Sequence, residues 1–421
     1  MSEKYDVIIV GASIAGCTAA TFLARDGLKV ALVEAHRDMD MYKRLCTHFI
    51  QSSATPTIER LGLAKELDAA GAVKAHGDLW TRYGWAREPD QIPGCPPHGY
   101  SVRRVTLDPM LRRMAAAEPN VNLMLGAKVV DLVLDANGRA AGVDIRTGDG
   151  RQELRGRLIV GADGKNSKVA ELANLPAREV LNNRFGYFAH YRNVGLKDWT
   201  RSKLWMLENG DVVYVFPNDD GVALLATMPS KARLDDFRGE DPEKALLAQY
   251  DGLSEAPDLS AAERVSDVIG QVDYPSVLRP RLTAPGVALI GDAAMTADPL
   301  FGLGCGWAFQ SAEWLAQEVS PVLRAGGDVD RATERYAKRH ARRLRPHFKL
   351  TSDFSSVRPF NRLEQLLFGG APNDKVVSEA FWRYGTRNAS PTALLSPRVL
   401  THAIRARRKA NRSERSRVSS A

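Results

Sequence analysis

The string Gly11-Ala12-Ser13-Ile14-Ala15-Gly16 has the spacing of a G-x-G-x-x-G phosphate turn. It follows the apolar run YDVIIV and opens a helix of small residues, AGCTAATFLARDG. Gly11 permits the tight turn, and Gly16 lets the helix lie close to the strand. The helix N-terminus then offers unpaired N–H groups and a positive dipole end to a pyrophosphate. Ser13 stands where the middle glycine belongs, a departure from the pattern. Glu34, with Ala35 after it, closes a second apolar strand 18 residues beyond Gly16, where an acid accepts hydrogen bonds from ribose hydroxyls. The chemistry implied is dinucleotide binding, and the motif by itself does not separate one dinucleotide from another.

The elements that must position these residues form a βαβ unit, strand–helix–strand within about thirty residues. The first strand is rich in Val and Ile, as expected where both faces of a parallel sheet are buried. Lys43–Leu63 reads as loop then helix, residues 107–117 as helix, and NLMLGAKVVDLVLD, RAAGVDIRT and ELRGRLIVGADG as strands. From about 181 to 275 alternating strands and the turns Glu208-Asn209-Gly210 and Asp219-Asp220-Gly221 predict an antiparallel sheet domain. A buried strand returns at GVALIGDAA, followed by a long helix from about Gly306 and a basic amphipathic helix over 331–350.

Two further strings carry a family resemblance. IVGADGKNSKVAEL (159–172) resembles the "DG" motif of the flavoprotein aromatic hydroxylases, and VALIGDAAMTADPLFGLGCGWAFQSAEWLA (287–316) resembles their "GD" motif and its helix. With the first glycine turn they stand in that family's order. The chain therefore resembles FAD-dependent monooxygenases of the p-hydroxybenzoate hydroxylase-like superfamily, which also holds flavin-dependent halogenases and geranylgeranyl-reductase-like enzymes. The fold implied is α/β: a Rossmann-like FAD-binding domain with an inserted antiparallel substrate domain and a helical C-terminal region. Parts of the FAD-binding domain fall at 1–75, 104–178 and 279–350, and substrate-domain segments at 76–103 and 179–278. The helical region covers 351–404 and a basic disordered tail 405–421.

The resemblance assigns roles to particular residues. Gly11, Ser13, Ile14, Ala15, Gly16, Glu34 and Ala35 would hold the nucleotide end of FAD. Gly291 and Asp292 would place a carboxylate on the ribityl chain. Pro299 and the backbone of Gly302, Leu303 and Gly304 would lie along the isoalloxazine, with the helix N-terminus stabilising negative charge on reduced flavin. Asp163 and Gly164 would support the site. Arg44 matches an arginine that contacts FAD, and Arg104 one near the pyrophosphate. Met295 departs from the histidine often found after GDAA. In LCTHFIQ, which resembles the segment passing the flavin ring, Cys46 and His48 are the catalytic candidates; Cys46 also reads as a small buried hydrophobe and His48 as a hydrogen-bonded structural histidine.

The activity implied is NAD(P)H- and O2-dependent hydroxylation or epoxidation through a flavin C4a-hydroperoxide. A bulky, largely apolar aromatic or unsaturated substrate fits, as in natural-product biosynthesis. NAD(P)H would be a transient co-substrate. Alternatives are a halogenase fed by a separate flavin reductase, for which Lys74 is the nearest lysine although no W-x-W-x-I-P string is present, and a C=C reductase. Trp205, Tyr187, Tyr191, Tyr214 and Phe216 could line an aromatic pocket or simply pack within the sheet.

Composition sets the remaining bounds. The net charge is +8, but seven basic residues against Glu414 crowd Arg405–Arg417, so the charge describes a tail and not a nucleic-acid surface. No run of 18 apolar residues and no signal-like start is present, which predicts a cytoplasmic protein without integral membrane association. The cysteines Cys17, Cys46, Cys95 and Cys305 form no C-x-x-C pair, so neither a zinc site nor a dithiol redox pair is expected, the thiols read as free and reduced, and no metal site is expected.

Overall fold

The computed structural model describes residues 4–237, 239 and 241–418, with side chains through Lys409. Strand Lys4–Val10 lies at the middle of the first sheet, with Val7, Ile8 and Ile9 fully buried. It pairs in parallel with Val30–Glu34 on one side (Val7 opposite Val30) and with Gly150–Gly161 on the other (Val7 opposite Leu158). Val121–Leu125 extends the sheet beyond Val30–Glu34, and Val287–Leu289 extends it beyond Gly150–Gly161. Every join in this core is parallel, so strand C-termini gather on one edge, where ligands of open α/β sheets bind. Helices Ile14–Arg25 and Leu303–Arg324 pack together on one face, burying Cys17, Leu23, Phe309 and Leu315.

The second sheet has ten strands. Gly186–Arg192, Ala223–Met228, Val212–Pro217 and Arg201–Met206 run antiparallel in that order. The antiparallel order expected for this sheet gives way at the next join to one parallel pairing. Arg201–Met206 pairs in parallel with Val73–Thr81, a strand more than a hundred residues earlier, with Trp205 opposite Trp80. Alternation of single residues along a strand reports which face each side chain takes, not which distant strand lies alongside.

That alternation divides the expected aromatic residues between two faces. Tyr214 and Phe216 turn toward Phe49, Phe188, Met206 and Leu300, whereas Trp205, Tyr191 and Tyr187 lie on the opposite face with Tyr250 and Trp85. The Tyr214 and Phe216 face is covered by the helical C-terminal region, through Phe354, Phe368, Phe381 and Trp382.

The tail expectation is also corrected. Helix Pro397–Val418 runs through most of 405–421, and residues 419–421 lie outside the described residues. Val399, Ala403 and Ala406 bury one stripe of it, together with Leu367, Val377 and Tyr384. Apolar residues at this spacing propagate a helix that charge density alone does not announce. Among the described residues no helix is long and apolar enough to cross a membrane.

Candidate functional site

Three glycine turns meet at the C-terminal edge of the parallel sheet. Gly11 has φ +103°, and a Cβ there would sit 2.5 Å from the Ala162 carbonyl oxygen. A Cβ on Gly16 would lie 1.8 Å from the Gly11 oxygen, and one on Gly291 2.8 Å from the Ala15 Cβ. The first turn thus meets the backbone of Ala162-Asp163 on one side, and Gly291 closes against the Ala15 side chain of its helix on the other. The Asp163 carboxylate is engaged locally, accepting from Ser167 Oγ at 2.6 Å and Val169 N at 3.1 Å, so its support of the site passes through the backbone. Glu34 accepts from Ala12 N at 2.8 Å and His36 N at 3.0 Å, which fixes its carboxylate beside the turn.

Helices Ile14–Arg25 and Leu303–Arg324 start at Ser13 and Gly302, and neither residue supplies a capping side chain. Helices starting at Lys168, Pro242, Val329, Arg362 and Lys375 are all capped by Ser, Asp or Asn. Uncapped N–H groups at a glycine turn are what a phosphate or a flavin edge satisfies. Gly302 is left-handed at φ +61°, and Gly304 and Asp292 border one gap, a Cβ on Gly304 falling 3.9 Å from Asp292 Oδ1. Lys43 Nζ donates to Asp292 at 2.8 Å, and that carboxylate raises the Lys43 pKa. Bare helix ends, backbone clearance and a carboxylate at the gap fit an elongated phosphate- and polyol-bearing cofactor.

Beside this cradle lies a nest of side chains. Cys46 Sγ and Cys305 Sγ are 3.6 Å apart. The Cys305 hydrogen bond, with the charges of Arg104 and Lys43, holds the Cys46 thiol below its usual pKa against the opposing effect of burial. Cys305 is pushed up, by the same hydrogen bond and by burial. Burial opposes the Arg104 charge, but Asp108, 2.7 Å away, and the two sulfurs more than offset it and raise its pKa. Arg104 Nη2 also donates to Ser13 Oγ at 2.7 Å, tying the nest to the phosphate turn.

His48 is left-handed, at φ +63°, a conformation that a non-glycine residue keeps only when its surroundings impose it. They do so here. Its Nδ1 accepts from Arg104 N at 3.0 Å and thereby caps helix Arg104–Ala116. With Nδ1 an acceptor, the His48 proton sits on Nε2, 3.0 Å from His190 Nε2. His190 then carries its proton on Nδ1, toward Ser266 Oγ at 3.3 Å, and Ser266 donates to the Asp267 carbonyl. Burial first, then the neighbouring positive charge, keeps both rings neutral: His48 is well below its ordinary pKa and His190 is pushed down to about 4.

The sequence of residues 4–345 matches the model of a family described as an FAD binding domain. The chain belongs to that family. It is an FAD-dependent oxidoreductase, with NAD(P)H as the family's usual electron source. It is 31% identical over 363 residues to the menaquinone reductase of Mycolicibacterium smegmatis, covering 78% of this chain and 79% of that one. It is 24% identical over 345 residues to the digeranylgeranylglycerophospholipid reductase of Thermoplasma acidophilum, covering 80% and 83%. Among solved structures, the flavin-dependent brominase Bmp2 superposes with a TM-score of 0.79 at 20% identity, covering 98% of this chain and all of that one, a likeness of fold.

Most of the sequence-expected residues of this flavoprotein converge, namely the first turn, Glu34, Arg104, Gly291, Asp292 and the loop Pro299–Gly304. Arg44 does not join them. It is 60% exposed and pairs with Asp267 of the inserted sheet at 2.6 Å. Lys74 pairs with Asp68 at the surface, 3.1 Å away. Sequence reading missed Arg112, whose Nε donates to the Ala12 carbonyl at 2.8 Å, although it shares a helix with Arg104. It missed Arg279, which bonds the carbonyls of Ala293, Leu175 and Lys165 and so stitches the second and third motifs together. It also missed His190, a residue of strand Gly186–Arg192 that no local pattern marks.

Proposed function

We propose that this flavoprotein saturates C=C bonds of a bulky, largely apolar polyene. The observation that carries the reading is the thiol pair Cys46–Cys305, held in the core of the parallel sheet three residues before Phe49, which begins an apolar wall with Phe188, Met206, Tyr214, Phe216 and Leu300. Bound FAD supplies hydride transfer. The wall excludes water and presents no unpaired charge to a hydrocarbon. Tyr214 donates its hydroxyl to the Leu300 carbonyl at 3.0 Å, which fixes the wall to the loop. Each hydride added to a double bond calls for one proton. Cys305 Sγ holds one against Cys46 Sγ, and His48 Nε2 holds another in a chain through His190 to Ser266 at the protein surface. The names of the two curated relatives, both reductases, support reduction as the reaction, and a cytoplasmic location belongs to this reading.

Monooxygenation of a similar substrate is the second reading, favoured by the water-excluding wall and by the resemblance of the motifs to those of aromatic hydroxylases. Oxygen chemistry there would meet two oxidisable sulfurs first, and this ranks it below reduction. Halogenation gains nothing from Lys74, which is held in its surface ion pair. Incubating the holoenzyme with NADPH, or with dithionite as the electron source, and a geranylgeranyl lipid without oxygen tests the proposal by mass spectrometry. Gain of hydrogen pairs supports it. A product that appears only in air and carries an oxygen atom overturns it in favour of the second reading.

A further inference from the structure

Cys46 and Cys305 lie 259 residues apart in sequence, yet their sulfurs are 3.6 Å apart, while Cys17 is fully buried elsewhere in the core. Their surroundings polarise them in opposite senses. The His48 backbone N–H donates to Cys46 Sγ at 3.2 Å, and Arg104 Nη1 lies 3.9 Å from it. Negative charge therefore settles on Cys46, while Cys305 keeps its proton. A thiolate in contact with a thiol is the arrangement that disulfide formation needs. Cys305 sits between Gly304 and Gly306 in the first turn of its helix, and Cys46 in the irregular segment before Phe49–Ile50. Bonding distance is about 2.05 Å, so the sulfurs must close by roughly 1.5 Å, within reach of side-chain rotation.

We propose that Cys46 and Cys305 are a redox-active pair, a dithiol that closes reversibly to a disulfide and ties the segment before Phe49 to the flavin-side helix. With a diazene oxidant the Cys46 thiolate adds to one nitrogen of the N=N bond. The far nitrogen of that adduct takes a proton from solvent; the Cys305 sulfur then attacks Cys46 Sγ, the S–S bond forms, the S–N bond breaks and the Cys305 proton passes to the departing nitrogen. Two thiols are oxidised and one diazene is reduced to a hydrazine. The closed form takes the Cys46 thiolate out of the site, so the flavoprotein would respond to thiol redox state. The inference rests on geometry and is independent of whether the reaction is reduction or oxygenation.

The test treats reduced holoprotein with diamide, blocks remaining thiols with iodoacetamide, and counts and maps the cysteines after denaturation. Four free thiols should fall to two, with the Cys46 and Cys305 peptides joined, and dithiothreitol should restore all four. Anaerobic dithionite titration of the oxidised protein should consume two more electrons per chain than the untreated protein. Cys305→Ser should abolish both the link and the extra electrons. Survival of all four thiols, a link between any other pair, or equal electron uptake would overturn the proposal. Oxygen-dependent turnover would remove the reductase reading and leave this one standing.

Discussion

The phosphate turn and the thiol–imidazole nest adjoin each other but are built by different means. The turn is made of backbone, and its clearances leave no room for a single added carbon at Gly16. The nest is made of side chains from four distant segments, around Cys46 and His48, Arg104, His190 and Cys305, joined by hydrogen bonds and charge. Shape governs the first and is indifferent to pH. Protonation governs the second, which tolerates modest changes of size. The difference predicts that damage to the turn removes cofactor and fold together, whereas damage to the thiols of the nest separates chemistry from binding.

Gly16→Val should break the comparison most visibly, because nothing in the turn can yield. The chain should fail to retain flavin and lose more than about 4 kcal/mol of stability, read by flavin absorbance and urea unfolding. Arg104→Ala should follow, at about 3–5 kcal/mol, because it strands the Asp108 carboxylate, itself 1% exposed. Cys46→Ala should keep flavin and change stability by about 1 kcal/mol or less, while turnover falls roughly 10²-fold or more. Loss of flavin in that variant would erase the distinction between the two regions.

The pH dependence sharpens it further. His48, His190, His340 and His347 are all held below their ordinary pKa by burial, the last three to about 4, 3 and 3. As pH falls below about 6.5 the unfolded chain takes up protons that the folded chain refuses, so the thermal midpoint should drop progressively toward pH ~4. Glu88 has the opposite sign. Burial raises it to about 7, so it stabilises the fold at low pH and loses that contribution as pH rises from about 4.5. Glu88→Gln should therefore steepen the acid-side decline, and His190→Asn should flatten it, as followed by scanning fluorimetry. The smallest effect belongs to Arg44→Ala, whose exposed pair with Asp267 should be worth about 0.5 kcal/mol or less. A large fall in flavin affinity in that variant would instead establish the cofactor contact that the family resemblance implies.

The sequence made the phosphate turn legible because each requirement there is local. Gly11, Gly16 and Glu34 follow from strand, turn and helix within one short unit. The antiparallel strands were legible from alternation, but the parallel join of Arg201–Met206 to Val73–Thr81 was not, since pairing partners carry no mark of each other. Helix Pro397–Val418 was hidden by its basic residues, which drew attention from the stripe of Val399, Ala403 and Ala406.

Cys46 and His48 could be named as candidates from their place after the second strand, but not given partners. The amino-acid order by itself determined a dinucleotide-binding βαβ unit, an FAD-family chain and a mixed α/β architecture, because periodicity and glycine geometry act over a few residues. Only the tertiary structure decided that Cys46 meets Cys305, that His48 caps a helix and faces His190, and that Tyr214 and Phe216 rather than Trp205 pack against Phe49 and Leu300. Those contacts join residues up to 259 positions apart, and the packing of two sheets and a helical layer, not any local preference, brings them together.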